Sequence, residues 1–336
     1  MDSLRIEVTR GSLVESVHRV SAAVVDAKGR LVAGAGNPDL VTFWRSAAKP
    51  FQALPLLQDG AVERFGLTSE ELALACASHS SEPFHLELVE RFMAKVGIDE
   101  SLLACGPHPP LGAEVARDVA RRGTIMTARW SNCSGKHTGL LTLAKHHGWP
   151  LTGYERAGHP VQERILQEVT RWTSVPTTDL IQAVDGCTTV CFGLPLVAMA
   201  LAYARFGVSD EPEARRIWSA MTDHPELIAG TGRLCTDLMR IWPGEVVAKI
   251  GAEGVYCAAI PGRRLGIAVK VEDGDLRSVG VGLLAVIRQV IAREPAAGPS
   301  LEALSGLADH AEFPVRTTRG ATVGQTRAAG RLEFFG

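Results

Sequence analysis

The stretch VVAKIGAEGVYCAAIPGRRLGIAVKV, residues 246–271, reads as three β-branched runs in succession. Val246–Ile250, Gly254–Ile260 and Leu265–Val271 are separated by Gly and Pro turns, the mark of consecutive strands. Pro243-Gly244 precedes them, and Leu283–Ala292 follows as a strong helix. Pro295–Pro299 then reads as a loop, and Leu332–Phe335 is a last short apolar stretch. The other end of the chain has the same character. Its first 36 residues read as strands, with Val17–Asp26 and Leu31–Ala35 forming a hairpin about Lys28-Gly29 before Asn37-Pro38-Asp39 breaks the pattern.

Between these ends, Ser46 to Trp242 is mainly helical. The candidates are Lys49–Gln58, Ser69–Ala77, Pro83–Val96, Gly112–Arg122, Gly135–His147, Pro160–Trp172, Leu194–Phe206, Glu211–Met221 and Arg233–Ile241. Thr68 or Ser69 before Glu70-Glu71 suits a helix start, and so does Pro160. Strands, a long helical insert, strands and a helix predict an α+β fold whose antiparallel sheet combines both chain ends. Residues 1–45 and 243–336 would make the sheet region and 46–242 the helical region, together one compact unit.

Composition narrows the function classes. With 35 basic and 37 acidic side chains and a net charge of −2, the chain has neither a nucleic-acid footprint nor a polybasic membrane surface. Gly186 to Ala204 carries no charge, but the Gly, Pro and Thr residues in its first half favour a buried helix over a membrane span. Seven irregularly spaced cysteines suit a reducing compartment better than a disulfide framework. The first residues lack a basic segment followed by an apolar one, so the expectation is a cytoplasmic protein.

Three constellations carry chemistry. In Ser46-Ala47-Ala48-Lys49-Pro50 the three-residue spacing puts a hydroxyl and an amine on one helix face. Pro50 is tolerated only in a first turn, which places Ser46 and Lys49 at a helix start, where free N–H groups favour a developing oxyanion. Lys49 would take the serine proton, for which it must be uncharged; a capping serine beside a solvated lysine is the bland alternative. Lys249-Ile250-Gly251 places an outward-facing lysine on a strand beside a glycine open to close backbone approach. With Ser78-His79-Ser80-Ser81 as a middle element, the three parts resemble the serine β-lactamase signature. The third constellation is Asn132-Cys133-Ser134-Gly135-Lys136-His137 with Asp185-Gly186-Cys187. Cys133 and Cys187 suit a soft metal ion such as Zn²⁺, with His137 or Lys136 completing the set; Cys187 and Cys191, one helical turn apart, are another pair. Trp130 and His137 stand where a phosphate-binding loop requires Gly and Ser or Thr, so that reading fails. Gly280-Val281-Gly282-Leu283-Leu284-Ala285 matches a dinucleotide pattern but reads as a strand-to-helix turn.

Taken together, Arg45-Ser46-x-x-Lys49-Pro50-x-Gln52, Cys76-Ala77-Ser78-His79-Ser80, the Asn132–His137 and Asp185–Cys187 segments and Lys249–Gly254 resemble the rhizobial, thermolabile type of L-asparaginase, the asparaginase II family. The resemblance runs over essentially the whole chain. It implies a serine β-lactamase/glutaminase-like fold, hydrolysis of L-asparagine to L-aspartate and ammonia, and a homodimer. It also implies two Ser–Lys tandems, Ser46 with Lys49 and Ser78 with Lys249, zinc on Cys133, Lys136 and Cys187, and Arg45, His137 and Asp185 around the substrate. Two other readings remain: a different β-lactamase-like acyl hydrolase (a glutaminase or β-lactam-binding enzyme), and a non-catalytic, zinc-stabilised binding protein.

Overall fold

The computed structural model describes residues 1–293 and 298–336, and it divides the chain into two compact units. One comprises Met1–Ala47, Leu194–Val208 and Asp237–Gly336; the other comprises Ala48–Gly193 and Ser209–Thr236. The expected loop Pro295–Pro299 falls largely on residues outside those described.

The strands are β1 (Leu4–Arg10), β2 (Leu13–Asp26), β3 (Leu31–Ala35), β4 (Val41–Phe43), β5 (Ile181–Val184), β6 (Val190–Pro195), β7 (Val247–Gly251), β8 (Val255–Ile260), β9 (Leu265–Val271), β10 (Phe313–Arg316), β11 (Thr322–Ala329) and β12 (Glu333–Phe334). In the first unit an antiparallel sheet runs β10-β11-β1-β2-β9-β8-β7, with β3 also on β2 and β12 on β3. The 14-residue β2 is what joins the chain ends. Its first half pairs with β1, and its second half lies between β3 and β9, with Ala23 opposite both Gly34 and Ala268. That half is buried from Val20 to Val25 and reads VSAAVV, a run without alternation, as expected where both faces are covered. The predicted α+β class with a sheet built from both termini is the observed one.

Helices Leu196–Val208 and Leu276–Arg293 pack on β2, β8 and β9. Here the division drawn from sequence is corrected. Leu196–Val208 belongs to the sheet unit, because Leu196, Met199, Ala200, Tyr203 and Phe206 are buried and the sheet provides the apolar surface they cover. The expected helix Leu283–Ala292 begins earlier, at Leu276, so Gly280–Ala285 lies inside a helix and is not a turn. Gly282 faces Val20 on β2, and a Cβ there would make ordinary contact with it at 3.5 Å.

The second unit is helical around Ser134–His147, which is buried on every face from Ser134 to Ala144. Helices Lys49–Gln58, Ser69–Ala75 and Pro83–Val96 surround it. Thr138 and Thr142 satisfy their hydroxyls on carbonyls one turn back, so these two polar side chains sit in the core with their hydrogen bonds made. Thr68 and Glu71 form the capping box anticipated at helix Ser69–Ala75. This unit is not helical throughout: β5 pairs antiparallel with β6, Ala183 opposite Cys191. Cys191 is thus a strand residue, and the helical Cys187/Cys191 pair does not exist.

Candidate active site

Lys49 opens helix Lys49–Gln58, directly after a 3₁₀ turn spanning Arg45–Ala48, with Pro50 in the first turn as its spacing required. The Lys49 side chain is 1% exposed. Its amine donates to the Ala77 carbonyl and lies 3.1 Å from both Ser78 Oγ and Cys133 Sγ. Ser78 follows helix Ser69–Ala75, and its own N–H is held by the Ile228 carbonyl at 2.8 Å. Next to it His79 is buried, stacked on His85 and 2.9 Å from Ser134 Oγ, which ties the Ser78 segment to the central helix. Burial drives the His79 imidazole well below its ordinary pKa and that of His85 to about 4, so both rings are neutral spacers.

A second cluster continues from Cys133. Cys133 and Cys187 are hydrogen-bonded, and Lys136 Nζ lies 3.0 Å from Cys187 Sγ and 2.5 Å from Thr189 Oγ1. Gly135 makes this crossing possible: a Cβ there would stand 2.4 Å from the Leu74 carbonyl oxygen. Hydrogen bonding from Cys133, with Lys136 and His137 nearby, holds Cys187 as thiolate, while the same bond and burial push Cys133 up. Burial would lower the Lys136 pKa, but the thiolate of Cys187 more than offsets it and the ammonium is favoured. His137 Nδ1 is 2.6 Å from Tyr154 Oη, which already accepts the Ala104 N–H. The tyrosine therefore donates to Nδ1, and burial keeps the ring neutral, so Nε2 carries the hydrogen and the ring's other polar interaction is with Cys187. Asp185 is half-buried, opens the β5–β6 turn and acts electrostatically on Lys136.

In the sheet unit, Lys249 is fully buried on β7, not outward-facing, with Nζ 3.0 Å from the Ile250 carbonyl. Gly251 keeps its expected role, since a Cβ there would stand 2.9 Å from the Trp44 carbonyl oxygen and 3.4 Å from Arg45 Cβ. Arg45 and Ser46 are half-buried. Arg45 adopts φ +53°, a left-handed conformation costing about 1–2 kcal/mol in a residue with a Cβ. Ser81 at +58° and Thr188 at +74° share it; Arg45 and Thr188 directly adjoin Ser46 and Cys187, and Ser81 lies three residues beyond Ser78. Lys49, Ser78, Cys133, Lys136, His137 and Cys187 therefore join in one buried polar network. Sequence reading gave no role to Tyr154, Thr189 or His79, and of these only His79 stands in a quoted motif.

Among the described residues no three His, Cys, Asp or Glu side chains are grouped to hold a metal ion. The third donor beside the two sulfurs is an amine. The two thiol sulfurs are soft donors whose chemistry fits Zn²⁺, and the Lys136 nitrogen would join them only after giving up its proton.

A buried lysine amine against a serine hydroxyl is the equipment of a covalent acyl-transfer hydrolase. The family model described as L-asparaginase II matches residues 6–328, so the chain belongs to that family and is an amidohydrolase. No curated protein sequence matches it. Among solved structures it is similar to a candidate beta-lactamase from Bacteroides dorei DSM 17855, at 13% identity over 74% of this chain and 84% of that one, TM-score 0.40. It is also similar to Mglu, at 21% identity over 84% and 69%, TM-score 0.37, and to a beta-lactamase from Mycobacterium bovis, at 12% over 76% and 88%, TM-score 0.33. No helix among the described residues is long and apolar enough to cross a membrane.

Proposed function

We propose that the protein hydrolyses L-asparagine to L-aspartate and ammonia through a serine nucleophile and a lysine base. The observation that carries this reading is the buried Lys49 amine 3.1 Å from the Ser78 hydroxyl, in a chain of the L-asparaginase II family. Ser46, three residues before Lys49, is half-buried and reachable by a substrate, whereas Ser78 is only 3% exposed. Ser46 Oγ therefore attacks the side-chain amide carbon while Lys49 takes its proton, and Ser78 holds the amine in place. The nitrogen leaves as ammonia, taking a proton back from Lys49, and water hydrolyses the acyl-enzyme with Lys49 again as base. Lys249 acts in the second Ser–Lys pair with Ser78, as the resemblance implies, and Arg45, His137 and Asp185 bind substrate.

Zinc would be held by Cys133, Cys187 and Lys136. Bound there, it would supply a positive charge that orients the substrate's α-carboxylate or α-amine. The family resemblance also supports a homodimer, which sedimentation would test.

Ammonia release measured with asparagine and glutamine side by side tests the activity. Rapid quench with mass spectrometry then tests the nucleophile, with the acyl adduct expected on Ser46 and abolished in Ser46→Ala. An adduct on Ser78 would exchange the two serines' roles, and no amide cleavage at all would sink the reading.

A further inference from the structure

In the sheet unit, the β2–β3 turn, the β8–β9 turn, the end of helix Leu276–Arg293 and β12 enclose a cavity of about 820 Å³. None of the candidate active-site residues lines it. Five cationic side chains do, Lys28, Arg30, Arg263, Arg264 and Arg293, against one carboxylate, Asp26. That carboxylate is already engaged: it accepts the Lys28 and Arg30 backbone N–H groups at 2.9 Å and pairs with Arg30 Nε at 3.2 Å. Among the described residues no carboxylate pairs with the Lys28 or Arg264 side chain. Arg264 also sits at φ +56°, in the left-handed region that a residue with a Cβ avoids, within the turn closed by its N–H on the Pro261 carbonyl.

The floor of the cavity is apolar. Val32, Leu265 and Phe334 line it, and the Arg293 guanidinium lies over the Phe334 ring, 4.5 Å from its centroid. A rim of like charges around a concave surface repels itself and focuses a positive field, which a bound anion relieves. The volume is that of a small-molecule site and far exceeds one inorganic anion. Guanidinium groups pair with phosphate oxygens in bidentate geometry, and a flat ring stacks on an aromatic face already flanked by arginine.

We propose that this cavity binds an organic polyphosphate carrying a flat aromatic body, a nucleoside triphosphate being the representative. The site is independent of the amide-hydrolysing centre. Calorimetric titration of the full chain with ATP, tripolyphosphate and adenosine, each at low and high salt, tests it. ATP binds once per chain and more weakly as salt rises, because exposed charges are screened. Tripolyphosphate and adenosine each bind at least tenfold more weakly than ATP. Lys28→Glu and Arg264→Glu, both at exposed turn positions, each weaken ATP at least tenfold while the thermal midpoint is retained. No ATP binding, or binding that neither substitution alters, overturns the proposal; tripolyphosphate binding as tightly as ATP overturns the aromatic half of it.

Discussion

The Lys49 amine is buried among three polar neighbours. Its nitrogen donates to the Ala77 carbonyl and lies 3.1 Å from both the Ser78 hydroxyl and the Cys133 sulfur. That arrangement accounts for a lysine buried where no carboxylate contacts its amine: each direction around the nitrogen has a partner, as a buried polar group requires. Replacing it with methionine keeps the aliphatic volume and removes the base. Lys49→Met is expected to lower kcat for asparagine by about 10²–10⁴-fold, the usual loss of a general base, and to destabilise by about 1–3 kcal/mol through the unpaired Ala77 carbonyl. Steady-state rates and urea melts on the same variant separate the two effects, and a variant retaining a tenth of kcat would remove Lys49 from the chemistry.

Where the helices Ser69–Ala75 and Ser134–His147 cross, both candidate clusters depend on Gly135. Gly135→Ala drives a Cβ to 2.4 Å from the Leu74 carbonyl, and backbone cannot yield as a side-chain tip can. Overpacking of this kind costs about 1–3 kcal/mol, and displacing the helix also moves Cys133 and Lys136, so stability and kcat should fall together. Unchanged activity in a destabilised variant would separate the crossing from the site. A different element, helix Pro160–Thr173, is anchored by Glu168, whose carboxylate accepts from Arg164, Arg171 and the Trp172 indole. Burial would raise the Glu168 pKa, but hydrogen bonds from the two arginines outweigh it and the pKa is lowered. Its contribution is thus present in full above the unfolded glutamate value near ~4.3 and is lost as pH falls through the folded value. Glu168→Gln should reduce unfolding free energy by about 3 kcal/mol at pH 7, and the gap from the parent should narrow below about pH 4. A gap independent of pH would mean that packing, not charge, is what the helix loses. Helices of this kind were legible in the sequence to within a residue or two, because capping residues and 3.6-residue periodicity mark both ends. β10 and β11 were not, since FPVR alternates between half-buried and exposed positions and TVGQTRAA is half-buried at most of its positions, with little apolar contrast. The site divides likewise. Ser46, Lys49, Cys133 and Cys187 stand in short motifs, whereas Tyr154 reaches His137 only through folding, and a strand position alone does not reveal that Lys249 is buried.

Across the whole molecule the seven cysteines are all free and all buried, so no disulfide contributes to either unit. Their surroundings nevertheless make them chemically unequal. Burial pushes the Cys257 thiol to about 12 and the Cys105 thiol to about 11, which leaves almost no thiolate at neutral pH. Cys187 is shifted the opposite way by the hydrogen bond from Cys133 and by the Lys136 charge. Alkylation of the native, metal-free protein should therefore follow electrostatics as well as access. Timed iodoacetamide labelling with peptide mass spectrometry should show Cys187 modified first and Cys105 and Cys257 only at rates set by opening of the fold. Adding Zn²⁺ before the reagent should protect Cys187 and Cys133 together and leave the other five unaffected, because only those two sulfurs converge with Lys136. Equal labelling of Cys187 and Cys257, or zinc that protects neither of the converging sulfurs, would show that the thiol cluster is a piece of core packing and would withdraw the metal from the proposed enzyme.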